Sequence, residues 1–196
     1  AGNTDWAISA IDWCVSNATK FNISVITMSI AITSGGSEVI YSSACDTADT
    51  SGLANVSSGA TVYGIFVDAA AGNAGNSGGI TSPACGENVT SVGRTNDDDT
   101  VNSGSNSYSI LDLFAPGSDV YSTNLSSGFV SKGGTSMSAP HVAGAAALLS
   151  QYWRLAYNKN ITPPEITSKL KVTGKNILDS RNGFVIPRIN ILAALQ

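Results

Sequence analysis

The chain has 196 residues, of which 42% are hydrophobic and only 12% charged, with a formal net charge of −4 and an isoelectric point near 4.7. This supplies a full core and excludes a disordered chain. Without a basic patch the chain is not expected to bind nucleic acid, and no apolar run reaches the ~20 residues of a membrane span.

Asn3 or Thr4 caps a helix expected from about Asp5 to Ser16, with Trp6, Ala10 and Trp13 on one stripe and Ile8, Ile11 and Val15 widening it. Cys14, between them, reads as a packed core thiol. Asn22 to Ile32 reads as a buried strand ended by Gly35-Gly36. Ser43 to Gly59 reads as a weaker helix on Ala44, Ala48, Leu53 and Val56. Thr61 to Ala71 reads as a central strand leading into Gly72-Asn73-Ala74-Gly75, by itself a plain turn.

A strand is expected near Asn88 to Arg94, after Ser82-Pro83-Ala84-Cys85. Asn96-Asp97-Asp98-Asp99 clusters carboxylates, which suit a structural Ca²⁺, but the spacing fits no defined calcium loop and reads as a solvated turn. No metal site and no required cofactor are expected. Ile110 to Gly117 is another strand, and Asp119 to Lys132 alternates as a hairpin does. Thr162-Pro-Pro-Glu165 starts a helix running to about Val172, and a short helix ends the chain at Gln196. The alternation of strands and helices implies an α/β fold with a parallel sheet and right-handed crossovers. Residues 1–196 read as one domain, without repeats or linkers.

The stretch from Gly133 to Leu149 organises the rest. Two glycines precede Thr135 or Ser136 at a helix start, and a small, apolar run follows. Pro140 is tolerable because its missing N–H falls in the first turn. A run of Ala and Gly lets other backbone approach closely, so this helix is expected to be buried all round. Free N–H groups and the positive dipole end at its start favour an anion, which suits a serine nucleophile. Local chemistry alone is also served by a capped core helix.

Gly134-Thr135-Ser136-Met137-Ser138-Ala139-Pro140-His141-Val142-Ala143-Gly144 resembles, almost residue for residue, the nucleophile motif of the subtilisin-like serine proteases. The resemblance implies a three-layer fold, a parallel sheet between helices, and Ser136 as nucleophile. Ala69-Ala70-Ala71-Gly72-Asn73-Ala74-Gly75 is similar to the family's A-A-G-N-x-G element, which makes Asn73 the oxyanion donor. Ser29-Ile30-Ala31 stands where the family has S-[LM]-G, with Ala31 in place of Gly. It would flank the substrate opposite Ala70, Ala71 and Gly72, with Thr135 also at the binding site. These Ala and Gly walls imply a roomy, apolar specificity pocket with little charge selection. Ile110 to Gly117 resembles the family's last core strand, and Gly183 to Ile191 its G-x-G-x-[LIV]-N segment. The resemblance also implies a Cys45–Cys85 disulfide.

The family orders its triad Asp, His, Ser. No D-[ST]-G motif precedes Ser136 at a strand end; Asp49-Thr50-Ser51-Gly52 is a near miss. The chain's single histidine, His141, lies five positions after Ser136. Five helical residues rotate by about 140° and rise by about 7.5 Å, so the two side chains do not face each other. His141 therefore reads as a packed helix residue.

Three readings follow. The chain is the C-terminal portion of a subtilase catalytic domain, lacking the N-terminal strands, whose Asp and His lie on a segment not shown, joined covalently or as a cleaved chain. Or it is an inactive homologue acting as a binding or structural module. Or it uses another base, for which the sequence offers no candidate. The first is favoured, because a structural module has no physical need for an Asn aimed at an oxyanion. The parent would then be a serine endopeptidase acting on polypeptides, with residues 1–196 alone inactive or nearly so. Six Asn-X-Ser/Thr sequons, at Asn17, Asn22, Asn55, Asn88, Asn124 and Asn160, point to a secreted or extracellular protein. The start at Ala1 without Met reads as a processed or cleaved end.

Overall fold

The computed structural model describes residues 3–125 and 127–196. In chain order it contains α1 (Thr4–Ser16), α2 (Ala18–Phe21), β1 (Val25–Met28), β2 (Thr33–Ser34), β3 (Ser37–Glu38), β4 (Ile40–Tyr41), α3 (Leu53–Ala60), β5 (Phe66–Ala70), β6 (Ile80–Thr81) and β7 (Thr90–Thr95). Then come β8 (Leu113–Pro116), β9 (Val120–Thr123), β10 (Phe129–Lys132), α4 (Thr135–Tyr157), α5 (Pro163–Thr173), β11 (Lys175–Leu178), β12 (Val185–Arg188) and α6 (Ile191–Ala194).

Six strands form the main sheet in the order β1-β5-β7-β8-β12-β11. All neighbours pair in parallel except β11 and β12, which form an antiparallel hairpin at one edge. Strand β5 is buried along its whole length, as a parallel strand covered on both faces must be. Its residues alternate between two cores. Val67 and Ala69 pack with Ile11 of α1 and Leu53 of α3. Phe66 and Ala70 pack with Ala139, Val142 and Leu149 of α4 and with Ile166 and Leu170 of α5. The result is the expected α/β architecture, a mostly parallel sheet between two helical layers.

Two helix starts follow their sequence signals. Asn3 caps α1, its side chain accepting the Asp5 N–H at 2.9 Å. At α5, Glu165 accepts from the Thr162 N–H at 2.7 Å and the Thr162 hydroxyl at 2.6 Å, within a capping box. The hairpin expected between Asp119 and Lys132 forms as β9–β10. Cys45 and Cys85 are bonded, 40 positions apart in sequence.

Other expectations are corrected. The Trp6–Trp13 stripe of α1 is not buried: both indoles are exposed, and only Ile11 of that helix is fully buried. Cys14 is a half-buried free thiol, not a core one. The helix expected from Ser43 shortens to Leu53–Ala60, because Asp49 turns the chain before it. The Asp49 carboxylate accepts from the Ser51 N–H, the Ala54 N–H and the Ser82 hydroxyl. The near-miss Asp-Thr-Ser-Gly is thus a structural anchor.

Helix α4 is not buried all round. Ala139, Val142, Ala145, Ala146 and Leu149 line its buried face, while Pro140, Gly144, Ala147 and Leu148 are exposed. The acidic loop is a turn, with Asp98 accepting from the Thr100 N–H and hydroxyl, and Asp99 pairing with Lys175 and Arg188. Among the described residues no group of three or more His, Cys, Asp or Glu is arranged to hold a metal, and no helix is long and apolar enough to cross a membrane.

Candidate active site

The site lies where the C-terminal end of β5 meets the start of α4. Gly134 precedes the helix with φ 152° and ψ 163°, a conformation that glycine alone adopts readily. A Cβ there would lie 3.3 Å from Asn73 Oδ1, so the missing side chain also lets the amide approach. The Thr135 N–H donates to Asn73 Oδ1 at 2.9 Å, and the Thr135 hydroxyl donates to the same oxygen at 3.3 Å.

Two donors on one end of the amide fix its orientation, because a backbone N–H requires an acceptor. The Nδ2 end is then a free donor on an exposed residue. The N–H of Ser136, in the first turn of α4, has no intrahelical carbonyl to reach. A half-buried serine hydroxyl and an unspent backbone N–H thus lie in the first turn of α4, next to the residue that orients the Asn73 amide. Such a set can attack a carbonyl and hold the negative charge that forms.

Ser29 reaches the same place from the edge of the sheet. Its hydroxyl donates to the Ser136 carbonyl at 2.8 Å, tying the Ser29-Ile30-Ala31 segment to the start of α4. Ile30 is exposed and Ala31 half-buried. Of the opposite wall, Ala70 and Ala71 face the two cores. The Ala71 N–H and carbonyl are engaged by Val92, Thr81 and Asn106. Gly72 is buried too, its N–H donating to the Thr135 hydroxyl at 3.3 Å.

His141 is half-buried rather than packed in the core. Its Nδ1 bonds the Met137 carbonyl at 2.8 Å, one turn back along α4. The carbonyl only accepts, so Nδ1 carries the proton and is spent on the helix. His141 lines an open cleft of about 320 Å³ with Ser136, Met137, Pro140 and Val120–Ser122. Its ring makes no hydrogen bond to Ser136.

Glu38 is a residue that sequence reasoning missed. Its Oε1 accepts the Asn73 N–H at 2.8 Å, and its Oε2 accepts from Asn106 Nδ2 at 2.7 Å. Gly35-Gly36, read as the end of a strand, is the turn of the β2–β3 hairpin that delivers it. A Gly-Gly pair between short polar runs was the available signal.

A further carboxylate lies deeper. Asp68, on β5, is fully buried and both its oxygens lack a well-formed hydrogen bond. Burial pushes its carboxyl up to about 8, and the hydroxyl of Thr27, its register partner on β1, offsets this only in part.

Comparison with known proteins bears on the family and the fold. The family model described as the subtilase family matches residues 1–184. Subtilisin-like protease 1 of Arthroderma gypseum is 38% identical over 152 residues, covering 76% of this chain and 28% of its own length. Thermitase of Thermoactinomyces vulgaris is 40% identical over 139 residues, covering 71% and 50%. Subtilisin amylosacchariticus of Bacillus subtilis subsp. amylosacchariticus is 33% identical over 201 residues, covering 100% and 46%. Among solved structures, a cold adapted subtilisin-like serine proteinase superposes with a TM-score of 0.77 at 31% identity, covering 97% of this chain and 63% of its own. The chain thus spans half or less of the length of these curated relatives.

Proposed function

The chain belongs to the subtilase family of serine proteases, and from that premise we propose that it is the nucleophile-bearing part of a secreted serine endopeptidase. Ser136 attacks the peptide carbonyl, and the Ser136 N–H and Asn73 Nδ2 hold the oxyanion. The general base takes the Ser136 proton and gives it to the departing amine as the tetrahedral intermediate collapses, and water, deprotonated by the same base, then releases the acyl group as Ser136 regains its proton. Ser29-Ile30-Ala31 and Gly72 flank the bound polypeptide, with Thr135 fixing both Gly72 and Asn73.

The general base and its orienting Asp belong to an N-terminal segment of the same protease, covalently joined or cleaved. Three observations support that segment. The one histidine spends Nδ1 on Met137. Strand β1 is an edge of the main sheet, with a hydrogen-bonding side unpaired. On α4, Gly144, Ala147 and Leu148 form an open apolar stripe, and a Cβ on Gly144 would meet nothing. A single domain then requires both pieces.

The observation that carries the reading is the Thr135–Asn73 bond beside Ser136: it satisfies the first N–H of α4 through Asn73 Oδ1 and so leaves Asn73 Nδ2 free to donate. Peptide hydrolysis by the full-length protein tests it. Ser136→Ala is expected to abolish the acyl-enzyme burst and lower kcat by about 10⁶-fold, the scale established for this serine in subtilisin rather than derived from the present geometry. Unchanged hydrolysis by the variant would defeat the proposal.

A further inference from the structure

Glu38 carries a consequence for substrate choice that the alanine and glycine walls do not foreshadow. The β2–β3 hairpin turns at Gly35 and Gly36, whose φ values of 59° and 86° are those of a type I′ turn. This turn sets the register Thr33↔Glu38 and Ser34↔Ser37. The register sends the Glu38 side chain over Gly72, on the wall proposed to lie opposite Ser29-Ile30-Ala31. A Cβ on Gly72 would fall on Glu38 Oε2 and Asn106 Nδ2, so the carboxylate occupies the space that the glycine leaves open. Gly72 is buried for this reason, while Glu38 itself stays half-exposed.

The carboxylate is held by neutral donors alone, the Asn73 N–H and Asn106 Nδ2. Among the described residues no Lys or Arg forms an ion pair with it, although Asp99, Asp112 and Asp179 each have a cationic partner. Each oxygen therefore keeps a free lone pair and the group keeps its full charge demand. It accepts the backbone N–H of the proposed oxyanion donor and fills the space beside Gly72, on the wall proposed to receive the side chain of the residue under attack (P1).

We propose that Glu38 is a specificity-determining residue, giving the protease a preference for polypeptides with Arg or Lys at P1. A guanidinium or ammonium entering between the two walls meets a carboxylate already oriented by two hydrogen bonds, so little ordering is left to the binding step. An apolar P1 side chain leaves that carboxylate desolvated and without a cation. The inference rests on Ser136 being the nucleophile of a peptidase.

The test uses the full-length protease and peptides that differ only at P1. A fluorophosphonate titration first counts active Ser136 sites in each variant. The wild type is expected to favour P1 Arg over P1 Leu by at least about tenfold in kcat/KM, and Glu38→Gln is expected to bring that ratio near one. Glu38→Lys is expected to shift preference toward P1 Glu. Because the readout is a ratio within one enzyme, loss of folded protein does not mimic it. If Ser136 labels but the ratio is the same in wild type and E38Q, Glu38 does not select substrate and this inference falls alone. An equal fall for every P1 residue would make Glu38 a mere support for Asn73 and also overturns it. Absence of Ser136 labelling would overturn the peptidase reading, and this inference with it.

Discussion

Asn73 Oδ1 receives the N–H of Thr135 at 2.9 Å across 62 positions of sequence, and this bond decides which end of the amide is free. The nucleophile helix thus orients its own oxyanion donor. Removing that donor is expected to act on the transition state. Asn73→Ala should lower kcat of the full-length protease by about 10²- to 10³-fold with KM little changed, a range known for such donors in subtilisin itself rather than derived from this geometry. Steady-state kinetics on one peptide substrate check it. A rise in KM at constant kcat would assign Asn73 to ground-state binding instead.

Asp68 makes stability fall as pH rises. Its folded carboxyl is pushed up to about 8 by burial, from an ordinary value of 3.8. Between those values the folded state holds a proton that the unfolded chain has lost, so the unfolding free energy declines across that window. The contribution is fully present below 3.8 and gone above about 8. Urea unfolding at stepped pH is expected to show a decline of several kcal/mol in the wild type. Asp68→Asn, neutral throughout, should flatten the slope.

Asp49 acts in the opposite sense. Burial opposes its charge, but hydrogen bonds from Ser82, Ser51 and Ala54 outweigh it and hold the carboxyl below the ordinary 3.8. What Asp49 contributes is present above that value and lost as pH falls through the lower, folded one. Asp49→Ala leaves the buried Ser82 hydroxyl and the Ala54 N–H without their partner. A loss on the order of 2–3 kcal/mol at neutral pH is expected by urea denaturation.

The Cys45–Cys85 bond closes a loop over 40 positions and ties the turn before α3 to the segment after β6. By loop-closure entropy it restricts the unfolded chain by about 3–4 kcal/mol. A Cys45→Ser and Cys85→Ser double variant should lose that amount in urea unfolding, whereas Cys14→Ser should lose little, since Cys14 is unpaired.

The sequence was most readable where local chemistry and packing agree. The Thr162–Glu165 capping box and the Gly133–Ser136 helix start appear where their side-chain signals place them. It misled where burial depends on what else is near. Trp6 and Trp13 share a helical stripe, yet the sheet-facing side of α1 is the one bearing Ile11, and the indoles stay exposed. β11 was missed because Lys-Asn-Ile-Leu carries one buried residue, Ile177, and its strand state comes from pairing with β12. Ser136, Asn73 and Ser29 were singled out through the resemblance of their motifs to a family, and the fold brings their three segments together. Glu38 was not, because its place beside Gly72 follows from hairpin register and a glycine's missing side chain.

The most direct measurement is the rate at which Ser136 is labelled by a fluorophosphonate, in the full-length protein and in residues 1–196 side by side. Rapid, site-specific labelling of Ser136 in the full-length protein, and at most slow labelling in residues 1–196, is the result expected if the base arrives on another segment. Equal labelling of both, or none in the full-length protein, would contradict the account.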